Sequence, residues 1–231
     1  QMTFDDGQPK KTVAGVGEYT INSDGSITFT PDKKYVGTPA PVTVKRVDEN
    51  GTEVTATYTP TVTEVTPRST NAESTGLQGQ PQSGKPTFTP GDQAVPIDMT
   101  KDMTFDDGQK TKKVDKVGTY VIESDGTITF TPDKQYVGTP APVTVKRVDT
   151  NGTEVTATYT PTVTRVTPSS TNAESTGLQG QPQSGKPTFT PGDQAVPIDM
   201  AKPMTFENGT DTLVVANEGT YTINSDGSIT F

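Results

Sequence analysis

Two carboxylate pairs, Asp5-Asp6 and Asp106-Asp107, are the side chains best placed by type and spacing for acid–base chemistry. Neighbouring carboxyl groups can be driven to different protonation states. The corresponding third position reads Glu207-Asn208 and breaks the pair, and a glycine follows each set (Gly7, Gly108, Gly209). A dyad has no reason to be arrayed in this way, and a turn explains the pattern. The chain has no His and no Cys, so the usual general base and thiolate nucleophile are missing; no enzyme is expected, and no catalytic, metal or cofactor residue is assigned. Asp48-x-Asn50-Gly51 and Asp149-x-Asn151-Gly152 offer hard oxygens for calcium, yet they lack the further ligands and the bidentate Glu of a calcium loop. Asp and Asn favour hairpin turns in their own right. Lys45 and Lys146 lie within apolar strands, where an intramolecular amide to Asn or Asp would need an inward-facing amine; a solvated amine on a buried stem is the simpler reading. Asn50, Asn151 and Asn208 each begin an Asn-Gly-Thr glycosylation acceptor.

These motifs fall on a grid. Gly17, Gly118 and Gly219 recur every 101 residues, as do Met2, Met103 and Met204, and Phe29, Phe130 and Phe231. A period this long is a domain rather than one unit of a solenoid. Ser69–Met99 is identical, letter for letter, to Ser170–Met200; much of it is polar, which fits recent duplication of the unit. Boundaries near Pro67 and Pro168 divide the chain into residues 1–67 (the C-terminal part of a repeat), 68–168 (a complete repeat) and 169–231 (the N-terminal part of the next).

Within one period, Gly17 to Phe29 reads as a hairpin. Tyr19, Ile21, Ile27 and Phe29 alternate with polar residues around Asp24-Gly25, and Tyr120, Ile122, Ile128 and Phe130 repeat them around Gly126. Pro41 to Val47 is a second strand. Val42 and Val44 (Val143 and Val145) share a face, and the odd parity of Val47 suggests a bulge near Lys45-Arg46. After a turn at Gly51 (Gly152), the longest alternation places Val54, Tyr58 and Val62 (Val155, Tyr159 and Val163) opposite a row of threonines. Pro60 cannot donate a ladder hydrogen bond, so this strand is expected at an edge or switching sheets. Tyr35 and Tyr136 are expected as buried anchors with the hydroxyl on a backbone partner, beside Gly37 and Gly138 in a glycine-only backbone conformation. Phe88, Val95, Ile97, Met99 and Phe105 supply the earlier strands. No segment has helical periodicity. The fold class is all-β: tandem antiparallel β-sandwich repeats, Ig-like or cadherin-like, joined by Pro/Gly/Gln/Ser-rich extended segments. The stretch from Thr66 to Pro86, whose only large apolar residue is Leu77, is read as an extensible joint of roughly 60 Å, the alternative being an edge strand or ordered loop folded onto the domain.

Only 28% of residues are hydrophobic and 6% aromatic, so the cores are thin. A net charge of −9 offers no footprint for nucleic acid or anionic membrane, and no apolar run is long enough to span a bilayer. Absence of Cys suits a cytosolic or a Gram-positive surface protein.

Val36 to Asp48 (VGTPAPVTVKRVD), Asn50 to Val62 (NGTEVTATYTPTV) and Gly79 to Asp92 (GQPQSGKPTFTPGD) together resemble the CshA-type fibril repeat of streptococcal fibrillar surface adhesins, and each recurs 101 residues later. The resemblance implies an extracellular stalk anchored to a Gram-positive cell wall through regions outside these residues. It also implies a host ligand such as fibronectin bound only at a tip that nothing here matches. The expected function is that of a non-catalytic stalk repeat whose partners are neighbouring repeats of the same polypeptide. The competing reading has the repeats themselves bind a host matrix protein or a partner cell, and a weaker third has Ser170–Phe231 of one chain complete Gln1–Pro67 of another.

Overall fold

A computed structural model describes residues 1–231, and every regular element in it is a strand. The middle period shows how the pattern folds. Thr111–Val114, Gly118–Ile122 and Ile128–Pro132 form an antiparallel meander, and Gln82–Gly84 adds to its open side. A second four-stranded sheet runs Thr104–Phe105, Val143–Val148, Glu154–Thr164, Ala72–Leu77. Period-two alternation gives each sheet one apolar face, and the two faces meet in a single core. Phe105, Val143, Val145, Ala157, Tyr159 and Val163 come from one sheet; Tyr120, Ile122, Ile128 and Phe130 come from the other. Tyr120 is the centre of it. Its ring stacks on Phe130 at 4.5 Å and meets Phe105 and Tyr159 edge-on at 6.5 and 6.1 Å. The same geometry recurs in Phe4, Tyr19, Phe29 and Tyr58, and in Phe206, Tyr221 and Phe231.

In the middle period Tyr120, Ile122, Ile128, Phe130, Val143, Val145, Val155, Tyr159 and Val163 are all buried, with Tyr136 half-buried. In the first period Tyr19, Val42 and Val44 are buried, whereas Ile21, Ile27, Phe29, Tyr35, Tyr58 and Val62 are half-buried. Val54 departs from its expected place. It is 64% exposed, against 8% for Val155, although Val54–Thr63 and Val155–Thr164 have the same sequence. The difference is the cover: Arg68–Leu77 lies over the Glu154–Thr164 strand, and no strand pairs with the outer edge of Glu53–Tyr58.

Several further expectations change. The Thr66–Pro86 stretch is not an extended joint. It carries Arg68–Thr70, Ala72–Leu77 and Gln82–Gly84, all paired into the middle period. One of those pairings is parallel rather than antiparallel, Ala72–Leu77 running alongside Tyr159–Thr164. No bulge occurs at Lys45-Arg46. The register runs unbroken from Val42↔Tyr58 to Val47↔Glu53, and Val47 lies on the outer face, 57% exposed. Pro161, the counterpart of Pro60, is buried in an internal strand. Val163, two residues on, donates its N–H to Gly138 O, so the Pro161 nitrogen faces residues 139–142, where no strand pairs. Met99 is 71% exposed and Met103, at 3%, fills the core instead. No backbone partner holds the Tyr136 hydroxyl; the tyrosine hydroxyl with a partner is that of Tyr159.

Burial therefore ranks the tyrosines. Truncating Tyr120 to Ala is expected to cost about 3–5 kcal/mol, and truncating half-buried Tyr136 clearly less. Denaturant midpoints of the two variants of the intact chain check the order, which equal losses would refute.

Candidate functional site

The polar groups singled out for chemistry serve as turn locks. Asp106 accepts from Lys112 Nζ at 2.6 Å, which holds its carboxyl below the usual range, and Asp5 pairs with Lys11 in the same way. Asp107 Oδ1 accepts the Gln109 amide, and Asp6 Oδ1 that of Gln8. Asp48 Oδ1 takes two amides, from Asn50 and Thr52, both at 2.8 Å, and Asp149 Oδ1 repeats the arrangement with Asn151 and Thr153. Thr127 N–H and Oγ1–H bond the Asp125 carboxylate, which lowers its pKa. Lys45 and Lys146 reach across the outer face to Glu53 and Glu154, at 3.4 and 3.9 Å. The turn glycines Gly25, Gly37, Gly51, Gly126, Gly138 and Gly152 all have positive φ.

The built feature of the molecule is the seam that closes a period. The Ala72–Leu77 strand lies parallel to Tyr159–Thr164. Small and polar residues make it fit. The Tyr159 hydroxyl donates to Ser74 Oγ at 2.6 Å, and Ser74 in turn donates to Gln82 Oε1 at 2.5 Å. Gln82 Nε2 donates to Thr162 O at 3.1 Å, and Asn71 Oδ1 accepts the Thr158 amide at 2.9 Å. Gly84 lies against the Tyr159 ring; a Cβ there would stand 2.5 Å from Cε2. On the far side Phe88 packs on the core under Arg147, whose Cζ is 6.0 Å from the ring centroid. Burial raises the phenol pKa of both Tyr120 and Tyr159, Tyr120 further, and the Ser74 hydrogen bond offsets part of the rise at Tyr159. The buried Tyr120 hydroxyl has no partner.

The seam continues into the joint between periods. Gln78 donates its backbone N–H to Thr164 O and its Nε2–H to Lys134 O, while Oε1 accepts the Val166 amide at 3.2 Å. The strand ending at Thr164 and the strand starting at Ser169 are four residues apart. Between the first and middle periods Tyr35, Val62 and Val65 face Val95, Asn151 and Thr153 across an open cleft of ≈480 Å³.

Three consecutive stretches, residues 1–62, 64–163 and 165–231, match the family model of the surface adhesin CshA repetitive domain. The chain belongs to that family. It is a repetitive, non-catalytic structural module of a surface adhesin. Among solved structures, repeat domain 13 of the fibrillar adhesin CshA from Streptococcus gordonii is 66% identical over 30% of this chain and 90% of its own length, with a TM-score of 0.19. The four N-terminal Ig domains of Dscam1 match at 14% identity over 98% of this chain and 68% of theirs, with a TM-score of 0.33. Cadherin domains 1–4 of PcdhgB3 match at 12% identity over 99% and 57%, with a TM-score of 0.34. Overlays this loose assign no fold family, and the two-sheet arrangement of the CshA repeat rests on its own strand pairings. No curated protein matches the chain.

The residues that sequence reasoning passed over are Asn71, Ser74, Gln78, Gln82 and Gly84, all within the polar stretch read as a joint. Their signal was the unbroken identity of Ser69–Met99 with Ser170–Met200. Removing the unpartnered hydroxyl in Tyr120→Phe is expected to raise stability by about 1 kcal/mol, whereas Tyr159→Phe loses a bond to Ser74 and lowers it by a similar, ~1 kcal/mol, amount. Thermal melts read the opposite signs. Below pH ~10 the phenols are neutral in both folded and unfolded states. Above it the unfolded phenol ionises while buried Tyr120 stays protonated, so wild-type stability falls as pH rises toward the folded-state value, and Tyr120→Phe flattens that loss. Gly84→Ala is expected to cost about 1–3 kcal/mol and to release the 72–77 amides to solvent exchange first.

Proposed function

We propose that the chain is a spacer segment of a fibrillar stalk, made of β-sandwich bodies of one 101-residue period each, that carries a ligand-binding tip away from a Gram-positive cell wall. The observation that carries this reading is the Ala72–Leu77 strand seated on Tyr159–Thr164. It converts the most linker-like stretch of the period into structure and leaves four residues, 165–168, between the last strand of the middle body and the first strand of the next. Reach then grows with the number of bodies rather than with the stretching of tethers. Pro67 and Pro168 are the proposed boundaries, and the residues proposed to resist pulling are the repeated aromatic and valine core. Acidic charge and Thr-rich outer faces keep such a stalk hydrated and free of self-adhesion. Wall anchoring and recognition of a fibronectin-like host ligand are assigned to regions outside these residues.

Small-angle scattering of the intact chain tests the reading. An elongated particle with a regular spacing between bodies is expected, and a random-coil profile would sink it. Two- and four-period lengths of the array are expected to leave immobilised fibronectin and matrix proteins unbound. Saturable binding that grows with period number would favour repeats that are themselves adhesive.

A further inference from the structure

The middle period places the two points where tension would enter and leave it on neighbouring strands. The chain comes in at Arg68 and goes out at Thr164. Ser69 Oγ donates to Thr156 O and the Thr158 amide donates to Asn71 Oδ1, each pair 87 residues apart in the chain. The same offset continues through the Cα pairs from Ala72↔Tyr159 to Leu77↔Thr164, and the Gln78 amide ends the run on Thr164 O. One unbroken parallel register thus joins 69–78 to 156–164. Because both strands point the same way, Arg68 stands at one end of the run and Thr164 at the other.

Pulling those ends apart slides one strand lengthwise past the other. Every bond of the run is then strained together, whereas a pull on two adjacent ends would open them one by one. A single hydrogen bond contributes little in water, so the direction of pull decides the resistance. Forced unfolding is also governed by the barrier rather than by equilibrium stability, so a strand with little apolar area can be the strongest point of the body. The acceptor strand is firmly set. Ala157, Tyr159 and Val163 are buried in the core, and Glu154–Tyr159 pair with Val143–Val148 on the other side. Side chains tie the sliding strand to it a second time, through Ser74 on the Tyr159 hydroxyl and Gln82 on Thr162 O. We propose that this parallel run is a shear clamp, which takes the tension across the body and keeps the enclosed residues 79–153 out of the path until it slips. The aromatic and valine core resists pulling through the acceptor strand seated in it. On slipping, a body spanning about 30 Å along the clamp releases roughly 300 Å of extended chain. Lengthening is then stepwise, one body at a time, and needs no tether. The clamp rests on the stalk reading for the source of the tension alone.

Single-molecule pulling in two directions tests it. The chain has no cysteine, so E154C introduces a lone thiol handle at the end of the run where Arg68 enters. The Glu154 side chain is exposed and stands 3.9 Å from Lys146 Nζ, so the core is left intact. Pulling the intact chain by its two termini shears the clamp; pulling between the N-terminus and the thiol peels it. The terminal pull is expected to give a rupture with the long gain in length, and the peel a rupture at severalfold lower force. Glu73 and Thr160 are Cα partners in the run. In a chain carrying E73C and T160C, oxidation to the disulfide is expected to abolish the long gain and reduction to restore it. Equal rupture forces in the two directions, a disulfide that fails to form, or a long gain that persists across the disulfide would each overturn the proposal. Scattering decides the stalk, and the two pulling directions decide the clamp within one body whichever way the scattering falls.

Discussion

The structure depends on how little apolar material each period has. One period buries an aromatic cluster around Tyr120 with a ring of valines and isoleucines on two four-stranded sheets, and the rest of its surface is polar. Such a core leaves a margin of only about 5–15 kcal/mol, so every strand that shields it matters. The Ala72–Leu77 strand brings little apolar area of its own. Its contribution is to pair a sheet edge that would otherwise stay open and to satisfy the Tyr159 hydroxyl, while Arg68–Thr70 just before it covers the same strand nearer Val155. The first period shows the alternative: identical residues without that cover leave Val54 and Ala56 in solvent.

Seen along the array, the same strand does two jobs. Gln78 closes its own period through Thr164 and Lys134, and through Val166 it fixes the start of the short passage to the next. Stability within a body and spacing between bodies therefore rest on overlapping residues. That coupling suits a repeated surface-adhesin unit.

The hairpins were legible because their residues alternate with period two around Asp-Gly turns, and the tyrosine and phenylalanine positions fell on the repeat grid. The seam was not legible from patterning. Ala72–Leu77 reads Ala-Glu-Ser-Thr-Gly-Leu, with neither alternation nor β-branched weight, because a strand lying over a tyrosine ring and a glutamine needs small and polar residues. Gly76 sits so close to Gln82 that a Cβ would stand 3.0 Å from its Nε2. The composition of a flexible tether and that of a closely seated covering strand coincide here. The bulge inferred from Val47 failed for a simpler reason: valine at the end of a strand on the outer face costs little, so parity alone did not demand an irregularity. The edge expectation holds for the Glu53–Tyr58 strand before Pro60 and fails for its counterpart Pro161, because a missing N–H excludes only one neighbour on one side, and that side is already unpaired at 139–142.

The central claim is that the polar stretch at the start of a period is one of its strands. Amide hydrogen exchange in the dilute chain tests it most directly, since Ala72–Leu77 and Ala173–Leu178 share one sequence and differ only in setting. Strong protection of the first set with rapid exchange of the second is the result this structure requires. Equally fast exchange in both would show that the stretch is a tether after all.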